Sequence, residues 1–209
     1  MSIFAAVVGA AGCYADEGES STLWGLRAAV DFNFPSKWHS SAGSVDMYSP
    51  GFGVTLGGIC NVYLGKGFYL EPGVSLFYDT YSFKDLIISN YPNDNSQSDP
   101  GLYKLGVRIP VVAGYSFDIT DKLAMCVYTG PEFSYSFAGK VKVDNNTDDL
   151  DVLFGDWQRR ADVAWKVGIG FPYKSVMMSV DAAFGMTDLL KTQMRAHDNR
   201  LAVSLTYYL

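Results

Sequence analysis

From Trp24 to Phe34 apolar and polar residues alternate without a break. Trp24, Leu26, Ala28, Val30, Phe32 and Phe34 fall on one side, and Gly25, Arg27, Ala29, Asp31 and Asn33 on the other. Successive side chains of a strand point to opposite faces, so a period of two predicts a strand with one apolar and one polar face. The pattern recurs over 52–64, 68–80, 103–117, 123–137, 161–173, 176–186 and 201–209. No apolar-face position in these eight stretches carries a charge, although 18% of the chain is charged. The polar faces instead hold Arg27, Lys104, Arg108, Lys166 and Arg200 against Asp31, Glu71, Asp79, Glu132, Asp162 and Asp181.

The connections alternate as well. Short turns are expected at 65–67, 118–122 and 173–174, and long loops at 35–51, 81–102, 138–160 and 187–200. This rhythm predicts an all-β, eight-stranded antiparallel up-and-down transmembrane β-barrel, with tight turns and both termini on the periplasmic side. Alternation alone leaves the inward face open, and a soluble lipocalin-like carrier would turn its apolar face inside. Two patterns favour the membrane. Trp24, Phe34, Phe68, Tyr78, Tyr103, Phe117, Phe171 and Tyr173 cluster near strand ends on the apolar face, where interfacial girdles belong. The charged face is rich in small residues, which suits a narrow lumen.

Side chains fill the inside of an eight-stranded barrel, and an uncompensated buried charge costs about 3–5 kcal/mol. The inner charges are therefore expected to pair into a structural plug of Arg27, Asp31, Glu71, Arg108, Glu132, Lys166, Asp181 and Arg200. Turn positions make this specific, because opposed residues in a hairpin have numbers with a constant sum. Centring one turn on Thr120 opposes Arg108 to Glu132 and Pro110 to Gly130; a turn at Tyr173-Lys174 opposes Lys166 to Asp181. Pro72, Pro110, Pro131 and Pro172 fall inside strands and predict bulges or broken ladder bonds.

Composition adds bounds. The chain has 209 residues, of which 48% are hydrophobic, yet no run approaches the length of a membrane-spanning helix. A net charge of −6 without a basic stripe argues against nucleic acid. Residues 1–15 read as a secretory signal, apolar from Ile3 to Ala11 and cut after Ala15, leaving 16–209 as the barrel domain. The missing basic start departs from the usual signal. Ala10-Ala11-Gly12-Cys13 offers lipidation at Cys13 as an alternative. Cys60 and Cys126 fall on opposite faces, so no disulfide is expected.

Candidate chemistry is sparse. His39, followed by Ser40 and Ser41, and His197, followed by Asp198, are the two histidines; either could serve an outer-membrane lipid-modifying enzyme. The acidic stretch from Asp144 to Asp151 spaces oxygen ligands like a calcium loop, but Asp149 replaces the turn glycine and Gly155 the closing glutamate. No catalytic residue, cofactor or metal is assigned. The loops carry apolar anchors at Trp38, Tyr91, Phe154 and Trp157 for a protein partner or the outer-membrane lipid.

Several short motifs point to a family. Tyr69-Leu70-Glu71-Pro72-Gly73, Arg108-Ile109-Pro110-Val111, Gly130-Pro131-Glu132, Val167-Gly168-Ile169-Gly170 and Phe184-Gly185-Met186-Thr187-Asp188-Leu189 resemble the PorT-like outer-membrane β-barrel family over about 24–209. The resemblance implies an eight-stranded barrel in a Gram-negative outer membrane, with some members linked to protein secretion. The alternating C-terminal strand ending in Tyr207, Tyr208 and Leu209 looks like the signal read by the barrel-assembly machinery during insertion, although such signals usually end in an aromatic residue.

Overall fold

The computed structural model describes residues 22–40, 43–45, 48–83, 101–120, 123–143, 146–149, 159–188 and 197–209. The expected signal segment, Cys13 included, lies outside them. Eight long strands form the wall: β1 (Thr22–Pro35), β4 (Tyr48–Gly65), β5 (Phe68–Phe83), β6 (Gly101–Thr120), β7 (Leu123–Val143), β9 (Ala161–Tyr173), β10 (Val176–Gly185) and β11 (Asp198–Tyr208). Short strands lie within the stretches expected as loops: β2 (Trp38–Ser40) pairs with β3 (Gly43–Val45), and β8 (Asn146–Asp149) pairs with the end of β7. Each wall strand pairs antiparallel with its sequence neighbour, and β1 with β11, so the sheet closes.

The faces divide as the alternation requires. Arg27, Asp31, Glu71, Asp79, Arg108, Glu132, Lys166 and Asp181 are buried in the interior, whereas Trp24, Leu56, Leu64, Phe68 and Tyr173 are exposed on the outside. That arrangement overturns the lipocalin alternative, because the charged face is the enclosed one. Cys126 points inward and Cys60 sits on the outward register, and both are free.

Opposed residues followed once around the wall measure its tilt. From Tyr115 the path runs through Val127, Ile169, Val180, Val203, Val30, Val54 and Tyr78 and returns to β6 at Leu105, ten residues nearer the long loops. An offset of that size over eight strands tilts them about 43° from the barrel axis.

Two register expectations fail by two residues. Arg108 faces Ser134 while Glu132 faces Pro110, and Lys166 faces Ala183 while Asp181 faces Gly168. In the second hairpin the turn residues are Lys174-Ser175, with Tyr173 opposite Val176. In the first, a register shift between Asp118 and Thr120 moves the pairing centre. Pro110 accordingly does not face Gly130.

The prolines break ladders without bulging them. The β4–β5 ladder omits Cys60-Asn61 against Glu71-Pro72, β5–β6 omits Gly73-Val74 against Ile109-Pro110, and β6–β7 omits Val111-Val112 against Gly130-Pro131. Register is the same on either side of each gap. Proline has no N–H to donate, and three neighbouring ladders are interrupted in one continuous band. Pro131 and Pro172 themselves stay in register with Trp165 and Met177 on their other neighbours.

The short turns use left-handed backbone. Gly65, Lys66 and Gly67 have φ of 96, 52 and 84°. Gly67 has a second reason to lack a side chain, since a Cβ there would lie 2.6 Å from the Ser116 carbonyl oxygen.

Candidate functional site: the packed lumen

The tilted wall brings together side chains that are not opposed in register. Arg108 on β6 is the hub. Its Nη1 donates to Asp31 Oδ2 at 2.8 Å and to Thr55 Oγ1 at 2.7 Å, and its Nη2 donates to Asp79 Oδ2 at 2.5 Å. Its guanidinium stacks over the Phe77 ring, 4.1 Å from the centroid. One cation thus ties together β1, β4, β5 and β6.

Glu132 on β7 is the second hub, held by three cations. Arg200 Nη2 approaches Oε1 at 2.5 Å, Lys166 Nζ approaches Oε2 at 3.6 Å, and Arg108 Nε lies 4.0 Å away. Arg200 also reaches Asp31 at 3.5 Å across the β1–β11 junction. Lys166 pairs with Asp181 at 2.9 Å, and Tyr128 donates its hydroxyl to the same carboxylate at 3.2 Å. Arg27 binds Glu71 at 2.8 Å and donates to Thr206. All eight charged residues expected in the plug enter these contacts. The two pairs derived from the turns are also made, but diagonally, because strand tilt displaces side chains along the barrel axis.

Asp79 is the important partner left out of the sequence-derived set. Its position on the polar face of β5 was the available signal. Lys104, Tyr81 and Asp198 extend the polar packing toward the long loops: Lys104 lies over the Tyr81 ring, and Tyr81 donates to Asp198 at 2.5 Å. Thr187 donates to Asp162 there.

A second tier is apolar. Ile59, Tyr69, Val112, Cys126, Tyr128, Met177 and Tyr208 form one buried cluster at the short-turn end of the lumen. Cys126 Sγ lies 3.5 Å from Met177 Sδ, and the Tyr208 hydroxyl 3.6 Å from the same sulfur. Aromatic rings there lie over glycines on the neighbouring strand, Tyr69 over Gly114 and Tyr128 over Gly168. The inner face therefore has two tiers, one charged and holding the eight residues named from the sequence, the other apolar. Cavities of about 40 and 20 Å³ remain in the charged tier, enough for isolated waters.

The histidine readings gain nothing. His39 faces Ser44 in the β2–β3 pair, and its side chain lies outside the described residues. The His197 ring sits between the Thr187 carbonyl, 3.1 Å from Nδ1, and Asp188, 3.8 Å from Nε2. The nearby Ser36 hydroxyl accepts from the His197 backbone amide at 2.8 Å. That hydroxyl in turn donates to the Lys37 carbonyl at 3.4 Å, a contact within the rim.

The acidic stretch runs extended as β8 over Asn146–Asp149, paired with β7. A calcium loop must instead curl around its ion. Among the described residues no cluster of His, Cys, Asp and Glu could hold a metal. Trp38 begins β2, with its side chain outside the described set, and Tyr91, Phe154 and Trp157 lie outside it altogether.

A closed eight-stranded wall, apolar outside and charged within, defines an outer-membrane β-barrel. The profile of the outer membrane protein beta-barrel domain matches residues 14–191, and the chain belongs to that family. Its place is therefore the Gram-negative outer membrane. No curated protein matches the sequence. Among solved structures the fold is similar to OprG of Pseudomonas aeruginosa, at 9% identity and a TM-score of 0.51, over 92% of this chain and 98% of that one. Neisserial surface protein A matches at 15% identity and 0.46, over 88% and 96%. Ail of Yersinia pestis, solved with the heparin analogue sucrose octasulfate, matches at 9% and 0.44, over 90% and 99%.

Proposed function

We propose that this protein is a non-enzymatic, non-conducting barrel that presents its long-loop end to a protein partner at the cell surface, with short turns and both termini in the periplasm. The observation that carries this reading is the uneven height of the wall. Strands β6 and β7 run for 20 and 21 residues, against 13, 10 and 11 for β9, β10 and β11. Crossing a membrane takes about 9–11 residues. Pairing continues up to Gly101 opposite Lys142, and β8 adds a short hairpin at that end. The extension is a sheet of four strands, since Ser82 of β5 faces Gly101 and Tyr48 of β4 faces Phe83, so one side of the wall rises above the other and leads into the segments 84–100 and 144–158. The packed lumen supports the non-conducting half of the reading.

The PorT-like motifs give the partner its class, a component of a protein-secretion apparatus. Excising residues 86–98 should leave the heat-dependent gel migration of a folded barrel intact while changing the set of secreted proteins. An unchanged set, with normal surface exposure of the variant, would remove the secretion role. Single-channel recording in planar bilayers tests the lumen; stable conductance from the wild type would contradict the closed reading.

A further inference from the structure

On the outside of the barrel a hollow of about 660 Å³ runs across β6, β7, β9 and β10. Its floor is made of small side chains, Ala113, Thr129 and Ala182, which are opposed in series through Val167. One end is closed by Phe68 and Tyr115, whose ring centroids are 4.8 Å apart, and the other by Leu201. The polar group on the floor is already used: Thr129 Oγ1 donates to the Lys166 carbonyl at 3.0 Å and accepts from Trp165 Nε1 at 2.8 Å. The Thr129 hydroxyl therefore has no proton left to donate to a polar ligand. An alkyl chain needs none.

Geometry selects the source of that chain. The groove follows the hydrogen-bonding direction from β5 to β11, five strand steps or about 24 Å at the usual strand spacing. With the strands tilted about 43°, it climbs about 16 Å along the barrel axis from the short-turn end. One leaflet of the hydrocarbon core is about 15 Å deep. The lower end begins at Phe68, two residues from the exposed Lys66 in the β4–β5 turn, which places a cation at headgroup level.

We propose that this groove is a binding site for one acyl chain of an anionic phospholipid from the leaflet on the short-turn side, with Lys66 meeting its phosphate. The site differs from ordinary lipid contact in its fixed length, its floor of small residues and its charged entry. It does not depend on the loop-display reading, since on β6 and β7 it uses residues 113–115 and 127–129, away from the long-loop ends of those strands, and its test does not involve the loops.

The experiment is native mass spectrometry of the detergent-purified barrel after mixing with phosphatidylglycerol or phosphatidylcholine. The wild type should retain one phosphatidylglycerol in preference to phosphatidylcholine. Filling the floor with Ala113→Leu and Ala182→Leu together should lower retention at least tenfold, while Ala28→Leu, outward on β1, leaves it unchanged. Lys66→Asn, which tolerates the left-handed backbone, should abolish the preference for phosphatidylglycerol and keep the acyl contact. Equal retention by the filled variant, or equal loss in Ala28→Leu, overturns the site. An unchanged preference in Lys66→Asn overturns the leaflet assignment. Conversion of a dimer to a monomer by the filled variant would make the occupant a second copy and overturn the lipid proposal.

Discussion

At the scale of single residues, the lumen is a set of unequal bonds. Glu132 is held most closely by Arg200 and most loosely by Arg108, at 2.5 and 4.0 Å. Removing the carboxylate leaves buried cations uncompensated, so Glu132→Leu should cost about 3–5 kcal/mol of folding stability. Urea unfolding in lipid vesicles, read from gel migration, would measure it. A double-mutant cycle should give a larger coupling for Glu132 with Arg200 than with Arg108. The reverse order would place the guanidinium groups incorrectly. In the apolar tier, a methyl group added at Gly114 would lie 2.2 Å from the Tyr69 ring, which is buried on all sides. Gly114→Ala is expected to cost about 1–3 kcal/mol by overpacking, and Tyr69→Leu in the same chain should recover part of it.

At the scale of elements, the proline band is a local weakness in an otherwise continuous wall. Three adjacent ladders lose pairs at Cys60-Asn61, Gly73-Val74 and Val111-Val112 while keeping register. Amides there should exchange with deuterium faster than amides four residues away on the same strands, since local opening tracks missing backbone bonds. Uniform protection along β4 to β6 would contradict the gap. Strand faces were legible in the sequence because side-chain direction has a period of two and needs no knowledge of the partner. Register was not. It depends on where a turn places its two central residues, and Tyr173-Lys174 and Lys174-Ser175 are equally plausible turns by composition. The β2–β3 and β7–β8 pairs were also hidden, because short polar stretches such as Asn146–Asp149 carry no apolar alternation.

At the scale of the whole molecule, the buried Arg27, Arg108 and Lys166 and the nearly buried Arg200 meet five buried carboxylates (Asp31, Glu71, Asp79, Glu132, Asp181). Pairs shielded this way are little affected by salt, because screening acts mainly on exposed charges. The unfolding midpoint in vesicles should therefore change little between low and high ionic strength. A large loss of stability in high salt would mean that water reaches the network.

The sequence by itself determined which residues of the eight wall strands share a face, and the girdles and charges pointed to which face is inside. The cost of a charge in lipid and the period of a strand act at each position separately, so a linear pattern records them. Tertiary structure decided who meets whom. Arg108 reaches Asp31 and Asp79, and Lys166 reaches Asp181 off register, because the ten-residue offset of the closed wall tilts every strand and sets neighbours diagonally. It also decided that the inner face has two tiers, and that small residues far apart in the chain, Ala113, Thr129 and Ala182, line up outside as one groove. Closure couples all eight strands at once, and no single stretch of sequence carries that information.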